Sequence, residues 1–352
     1  MRLLHVVGAR PNFPKLAPVY RAGVQAGLEQ RVVHTGQHYD TLLSSSFFDD
    51  LEIPPPDYNL EVGSASHALQ TARIMERFEP VLLESAPDWL VVYGDVNSTM
   101  ATALVASKLG VRIAHVEAGL RSGDRAMPEE INRLVADRLA DLLLTPSRDA
   151  DVTLAREGAP AASIVFVGNV MIDSLLRAVA RAEHTGAAAR LGADGSHIVV
   201  TLHRPSNVDD EPRLRALAEA LSAIGEKRRV IFPSHPRTRQ RIAAFGLPMG
   251  RVDLIDPLPY FEMVDIVRGA HAVITDSGGI QEETTALGVP CFTVRDNTER
   301  PVTVTEGTNQ LVRDPSTLPA LVAAARRPES PRRPEGWDGR AGERIIEALR
   351  TR

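Results

Sequence analysis

The sequence predicts an α/β protein made of two Rossmann-like domains. Three observations carry that reading. Short apolar runs alternate with longer helical patterns along the whole chain, which argues for parallel sheets with helices on both faces. The alternation pauses once, after Val165-Phe166-Val167-Gly168-Asn169, and a second series then begins. The length, 352 residues, suits two domains of ordinary size.

Taken in order, Arg2–Val7 reads as a strand, followed by a loop and an amphipathic stretch from about Lys15 to Ala26. Arg31–Thr35 is the second strand, and Trp89–Tyr93, Arg112–Val116 and Leu142–Thr145 follow with helical stretches between them. After the pause, Met171–His184 is helical and ends in Thr185-Gly186 and an alanine-rich connector. The second series comprises Ile198–Leu202, Val230–Pro233, Val252–Ile255, Ala272–Thr275 and Cys291–Val294. Pro328–Pro334, rich in proline and arginine, reads as a linker, and a last helix covers about Ala341–Thr351. Ligands in open α/β sheets bind beyond the C-terminal strand ends, so two facing domains of this kind would offer those ends to one cleft.

Composition removes several classes. Hydrophobic residues make up 43% and charged residues 24%, as in a soluble globular protein. The net charge of −5 gives no global field toward nucleic acid. Cys291 is the single cysteine, so no intrachain disulfide forms, which fits a reducing compartment and a cytoplasmic protein. The opening Met1–Gly8 run is too short for a signal peptide, and no later run reaches the ~18 apolar residues of a membrane span. HExxH, CxxC and calcium-loop patterns are missing, so neither a metal nor another cofactor is expected. Lysine occurs only at positions 15, 108 and 227, which singles out Lys15 in its loop.

The candidate chemistry lies just after the strands. Gly8-Ala9-Arg10-Pro11-Asn12-Phe13-Pro14-Lys15 places Arg10 and Lys15 around a helix N-terminus, a natural phosphate or carboxylate site, without being a dinucleotide or Walker loop. Asp95, in Tyr93-Gly94-Asp95-Val96-Asn97, stands where a strand ends, and a helix N-cap is the plainer reading for it alone. Glu117, in His115-Val116-Glu117-Ala118-Gly119-Leu120-Arg121, ends the next strand, and neighbouring strands end side by side, so the two acids should share one crevice. Glu129, in Met127-Pro128-Glu129-Glu130-Ile131-Asn132-Arg133, suits a helix first turn, and with the other two it makes three acids near one cleft.

The second series adds His203 in Thr201-Leu202-His203-Arg204-Pro205, and His235 in Ser234-His235-Pro236-Arg237 one strand later. Its strongest signal is Thr275-Asp276-Ser277-Gly278-Gly279-Ile280-Gln281-Glu282-Glu283. Small residues let backbone approach a diphosphate at a helix N-terminus, and Glu283 one turn on can accept from ribose hydroxyls. Arg300, in Arg295-Asp296-Asn297-Thr298-Glu299-Arg300-Pro301, can reach the same diphosphate as a bidentate clamp.

Together these motifs resemble the non-hydrolysing UDP-N-acetylglucosamine 2-epimerases, in the family's order from Gly8-Ala9-Arg10-Pro11 through Thr35-Gly36-Gln37-His38 to about Val312. The resemblance implies a GT-B-like fold whose C-terminal helix crosses back to the first domain. The domains would then be 1–169 with 337–352, carrying catalytic acids, and 170–336, binding UDP. It implies a homodimer acting on a UDP-sugar, while the charge and the short apolar runs give no expectation of a nucleic-acid or membrane partner. It implies epimerisation at C2 by elimination of UDP to 2-acetamidoglucal and re-addition. Carried over by motif, Asp95, Glu117, Glu129 and His203 are the catalytic residues. Arg10, Lys15, Arg133, Ser277, Gly278, Gly279, Glu283 and Arg300 bind substrate. Gln37, His38, Arg73 and His235 would form an allosteric site for UDP-N-acetylglucosamine. The Asp124-Arg125-Ala126-Met127 loop is about two residues shorter than in many members, and Asp40 stands where many carry glutamine or glutamate. The alternatives are a 2-epimerase for UDP-2,3-diacetamido-glucuronic acid, the hydrolysing branch, a GT-B glycosyltransferase, and a sugar-nucleotide sensor without activity.

Overall fold

The computed structural model describes residues 1–37, 48, 51–331 and 333–352, with the backbone alone at position 10. The chain divides into two units, Met1–Ser174 with Glu335–Arg352, and Leu175–Pro334. His38 and Asp40, singled out in the sequence, lie outside the described residues, as does the side chain of Arg10.

The first unit holds β1 (Arg2–Val7), β2 (Glu29–His34), β3 (Tyr58–Asn59), β4 (Trp89–Tyr93), β5 (Arg112–Val116), β6 (Leu142–Thr145) and β7 (Ile164–Phe166). They form one parallel sheet in the order β3-β2-β1-β4-β5-β6-β7. Alternate residues of β1 serve opposite faces: Leu3 and Val7 join one apolar cluster, Leu4 and Val6 another. Burial on both faces is why these strands read as continuous apolar runs.

The second unit holds β8 (Ile198–Thr201), β9 (Val230–Pro233), β10 (Val252–Ile255), β11 (Ala272–Thr275), β12 (Cys291–Thr293) and β13 (Asn309–Leu311), parallel in the order β10-β9-β8-β11-β12-β13. Strand order reverses between β1 and β4 in one unit and between β8 and β11 in the other. Loops leave these switch points in opposite directions and open a crevice at the strand ends. Each cluster of motifs follows these strands or their immediate neighbours.

Several elements differ from the sequence reading, among them β2, β3, β7 and β13. β2 starts at Glu29 because Glu29 and Gln30 pair with Arg2 and Leu3, polar positions that an apolar run does not reveal. It ends at His34, although Thr35 still donates its N–H to the Val7 carbonyl at 2.9 Å. The edge strands β3 and β13 are two and three residues long and partly polar, below the reach of periodicity.

The unit boundaries fall at 174/175 and 334/335, and side chains explain both. Asp173 and Ser174 open the helix Val170–Ala182 yet bond within the first unit. Ser174 Oγ donates to the Pro14 carbonyl at 2.5 Å, and the Asp173 carboxylate accepts from Ala341 N and Gly342 N at 3.2 and 2.9 Å. Trp337 Nε1 donates to the Pro146 carbonyl at 3.0 Å. The terminal helix Ala341–Thr351 packs on the helix Phe13–Gln25. At their closest approach a β-carbon on Gly342 would lie 2.6 Å from Pro18 O.

Candidate active site

In the first unit the turn after β4 and the turn after β5 stand side by side, because Tyr93 and Val116 are register partners. Gly94 adopts a φ of +63°, and Glu117 adopts +72°, a strained value for a side-chain-bearing residue. Such outliers collect where a side chain must be aimed for function. Glu117 is buried and ion-pairs with Lys15, also buried. Lys15 lies in the first turn of the helix Phe13–Gln25, so the loop after β1 delivers a cation to the carboxylate after β5.

Asp95 does not cap the following helix; Val96 holds that position and Asp95 is left to other contacts. Its carboxylate ion-pairs with Arg133. Asn132 Nδ2 donates to the Asp95 carbonyl at 2.8 Å, so adjacent residues of the helix Pro128–Leu139 hold both the backbone and the side chain of Asp95. Arg133 is fixed in turn by Glu130, whose Oε2 accepts from Nη1 at 2.8 Å. Glu130 also accepts from Ser122 N at 2.9 Å, Ser122 Oγ at 3.0 Å and Gly123 N at 2.9 Å. Burial alone would raise the Glu130 pKa; these bonds outweigh burial and hold it below the usual value.

Of the adjacent glutamates, Glu130 is thus buried and tied down, whereas Glu129 is exposed. Among the described residues the Glu129 side chain makes no hydrogen bond or ion pair, and it stands exposed in the first turn of the helix. Gln37 is buried, and its Oε1 accepts from Ser98 N at 3.2 Å and Ser98 Oγ at 2.9 Å. Arg73 is half-buried on the helix His67–Ser85.

In the second unit Ser277 is the N-cap of the helix Gly278–Leu287. The first-turn N–H groups of a helix have no intrahelical acceptor and favour an anion. A β-carbon on Gly278 would lie 2.6 Å from Arg300 Nη1, so glycine there admits the guanidinium. A β-carbon on Gly279 would meet nothing within 4 Å, which marks open space. Arg300 is further steadied by Glu282, 3.0 Å away. Glu299 accepts from Arg295 at 2.8 and 2.7 Å. Burial would raise the Glu299 pKa, but the Arg295 bonds and the charges of Arg300, Arg295 and Arg204 hold it well below the carboxylate range.

Glu283 is buried, and Tyr260 Oη donates to its Oε1 at 3.2 Å. Burial first, and the neighbouring Glu282 charge in addition, push its pKa up to about 7 against the Tyr260 bond. His203 is exposed, with Nδ1 3.0 Å from Asp276 Oδ1. Asp276 also accepts from His203 N and Arg204 N, and from Asn207 Nδ2 at 3.1 Å, so this one carboxylate shapes the loop after β8. His235 is exposed and caps the helix Pro236–Ala244, its Nδ1 accepting from Arg237 N at 3.3 Å.

Sequence reasoning missed Glu130, Asp276 and Tyr260. Glu130 and Asp276 stand inside the quoted motifs, and their burial is the sign that separates them from their neighbours. Tyr260 had only its place after β10 as a signal. Among the described residues no group of three or more His, Cys, Asp or Glu could hold a metal ion, and no helix is long and apolar enough to cross a membrane.

Residues 22–350 match the family model described as UDP-N-acetylglucosamine 2-epimerase. A UDP-N-acetylglucosamine 2-epimerase of Methanocaldococcus jannaschii is 40% identical over 99% of both chains. A UDP-2,3-diacetamido-2,3-dideoxy-D-glucuronate 2-epimerase of Pseudomonas aeruginosa is 46% identical over 89% of this chain and 88% of its own. Among solved structures, the M. jannaschii UDP-GlcNAc 2-epimerase in complex with UDP-GlcNAc and UDP matches with a TM-score of 0.90 and 39% identity over all of both chains. The Neisseria meningitidis UDP-GlcNAc 2-epimerase bound to UDP-GlcNAc matches at 0.89 and 28%, again over all of both chains. The two parallel sheets and their helices are the two-domain, GT-B-like fold of these enzymes.

Proposed function

The chain belongs to the UDP-N-acetylglucosamine 2-epimerase family and is an isomerase, and from that premise we propose that it inverts C2 of UDP-N-acetylglucosamine to give UDP-N-acetylmannosamine. The observation that carries the reading is the pair of carboxylates, Asp95 and Glu117, on adjacent strand ends, each matched by its own cation, Arg133 and Lys15.

In the proposed reaction a carboxylate removes the C2 proton while the bond from C1 to the UDP oxygen breaks, leaving 2-acetamidoglucal. UDP then adds back at C1 as a proton reaches C2 from the other face. Asp95, Glu117 and Glu129 are the proton-transfer groups, and the cations paired with Asp95 and Glu117 keep those two oriented without a metal. Lys15, Arg10 and Arg133 serve the substrate from the first unit. Ser277, Gly278, Gly279, Glu283 and Arg300 hold the nucleotide, where a helix N-terminus and a guanidinium suit a leaving diphosphate whose charge grows in the transition state, and His203 is the catalytic group of the same unit. Gln37, His38, Arg73 and His235 belong to a regulatory site for the same sugar nucleotide. The working form in this proposal is a cytoplasmic homodimer, and sedimentation at twice the 38.2 kDa chain mass tests its assembly.

Proton NMR of UDP-N-acetylglucosamine with the enzyme in deuterated water is the test. The expected result is the manno product with deuterium at C2. Unchanged substrate would overturn the proposal. The Pseudomonas relative supports a second reading, in which the sugar is the diacetamido-glucuronate; conversion of that nucleotide alone would select it.

A further inference from the structure

His115 is fully buried on β5, between the two turns that carry Asp95 and Glu117. Its Nε2 lies 2.8 Å from the Gly94 carbonyl, and its Nδ1 lies 2.6 Å from Asp137 Oδ1. A carbonyl oxygen only accepts, so Nε2 carries a hydrogen. On the other side Asp137 Oδ2 accepts from Gly119 N at 3.1 Å and pairs with Arg121 at 2.7 Å. Burial would raise the Asp137 pKa, but the contacts with His115 and Arg121 bring it below the usual value, so the group is a carboxylate. A carboxylate also only accepts, so Nδ1 carries a hydrogen as well. Arg121 passes the charge outward to Glu157 through bonds of 2.9 and 2.7 Å. Imidazolium, carboxylate, guanidinium and carboxylate then alternate in sign from the buried His115–Asp137 pair out to the exposed Glu157.

The same pair grips both turns. The imidazole takes the carbonyl of Gly94, the residue before Asp95. Asp137 takes the N–H of Gly119, two residues after Glu117. Gly94 and Gly119 have φ values of +63° and +83°, a left-handed backbone that glycine adopts without a steric penalty.

We propose that His115 and Asp137 form a buried imidazolium–carboxylate clamp that positions Asp95 and Glu117 relative to each other, His115 acting as a positioning residue through the Gly94 carbonyl. The clamp's part in turnover rests on the assignment of those two acids as the proton-transfer groups. Its charge state does not, and it is measured separately.

Histidine labelled with ¹⁵N in the intact enzyme reports that state directly. Both ring nitrogens of His115, assigned by loss of the signal in His115→Gln, are expected at protonated shifts, since each faces an acceptor. A neutral-tautomer pattern there overturns the clamp, and this readout stands even if the variant folds poorly, because Asp137→Asn supplies the same assignment by shifting the signal. His115→Gln is expected to lower kcat about 100-fold, the scale of an ångström-sized misplacement, with UDP affinity within about twofold of the parent. Undiminished kcat in His115→Gln overturns the positioning role. So does a matching loss of UDP affinity, since that would mean a general loss of structure. Glu117→Gln assayed beside it separates the two readings: full turnover there would overturn the assignment of the acids while leaving the measured charge state in place.

Discussion

Lys15 Nζ lies 2.6 Å from the point that a β-carbon on Gly94 would occupy, and Glu117 Oε2 lies 3.2 Å from it. The lysine–glutamate pair therefore sits directly over a glycine with a φ of +63°. Gly94→Ala adds a methyl group where the ammonium stands and a backbone penalty of about 1–2 kcal/mol. The expected outcome is a urea midpoint lowered by that amount and kcat reduced at least about 10-fold, as the carboxylate loses its placement. Turnover equal to the parent at the same fraction folded would show that the Lys15–Glu117 pair is not engaged in the reaction.

Arg300 and the two acids should fail in different ways. Removing the Arg300 guanidinium deletes a charge-assisted contact worth about 1.5–3 kcal/mol, so Arg300→Ala should weaken UDP binding by roughly 10- to 100-fold and lower kcat too. Asp95→Asn and Glu117→Gln should lose about 10²–10⁴ in turnover while UDP affinity measured by calorimetry is kept. Equal loss of UDP binding in all three variants would contradict the split between acids in the first unit and nucleotide binding in the second.

The strand ends were legible for a physical reason. Strands buried on both faces are continuous apolar runs, and Trp89–Tyr93, Arg112–Val116 and Ala272–Thr275 fall where those runs lie. Edge strands such as Tyr58–Asn59 have no such run and gave no signal. The candidate site was legible where glycines and charges cluster after strands. What sequence could not weigh was Glu129 against Glu130. Both suit a helix first turn, and only the return of the loop through Ser122 and Gly123 buries one of them. Likewise nothing near Asp276 in sequence announces that it holds His203 and Arg204, 73 and 72 residues away.

Glu283 supplies a pH test. Its pKa in the free enzyme is raised to about 7, chiefly by burial. If the carboxylate accepts from ribose hydroxyls, protonation weakens that site. UDP affinity should therefore fall as pH drops through about 7. The stability sign is opposite: the folded state holds a proton that the unfolded chain releases near the ordinary glutamate value of 4.5, so this group's contribution declines as pH rises from there to about 7 and is constant above. Titrations of UDP affinity at pH 6 and pH 8 check the binding half. Glu283→Gln should flatten that dependence, and an unchanged slope in the variant would assign it to another group.

Chelation should leave activity intact. The cations close to the acids are Lys15 and Arg133, and Arg300 stands at the helix N-terminus proposed for the diphosphate, so charge compensation is built from side chains. Turnover after dialysis against a strong chelator is expected to equal that of untreated enzyme. Loss of activity restored by one divalent ion would overturn this and require metal ligands to be sought.

Asp173 tests how the chain's C-terminal return is secured. Its two oxygens accept from Ala341 N and Gly342 N, the first N–H groups of the terminal helix, which lack intrahelical acceptors. Burial, the larger effect, raises its pKa to about 6 against those two bonds. Asp173→Ala strands both N–H groups and should cost about 1–3 kcal/mol. Asp173→Asn keeps one acceptor oxygen and no desolvated charge, so it should cost less than the alanine change. The pH sign follows from the raised value. Between the ordinary aspartate value of 3.8 and about 6 the folded state binds more protons than the unfolded chain, so stability contributed here falls as pH rises through that window and then levels. Urea denaturation of the parent and Asp173→Asn at pH 5 and pH 7.5 reads both effects, with the variant expected to close part of its deficit at the higher pH. A deficit that widens at pH 7.5 would mean that the two N–H bonds outweigh burial, and that Asp173 is a carboxylate cap throughout.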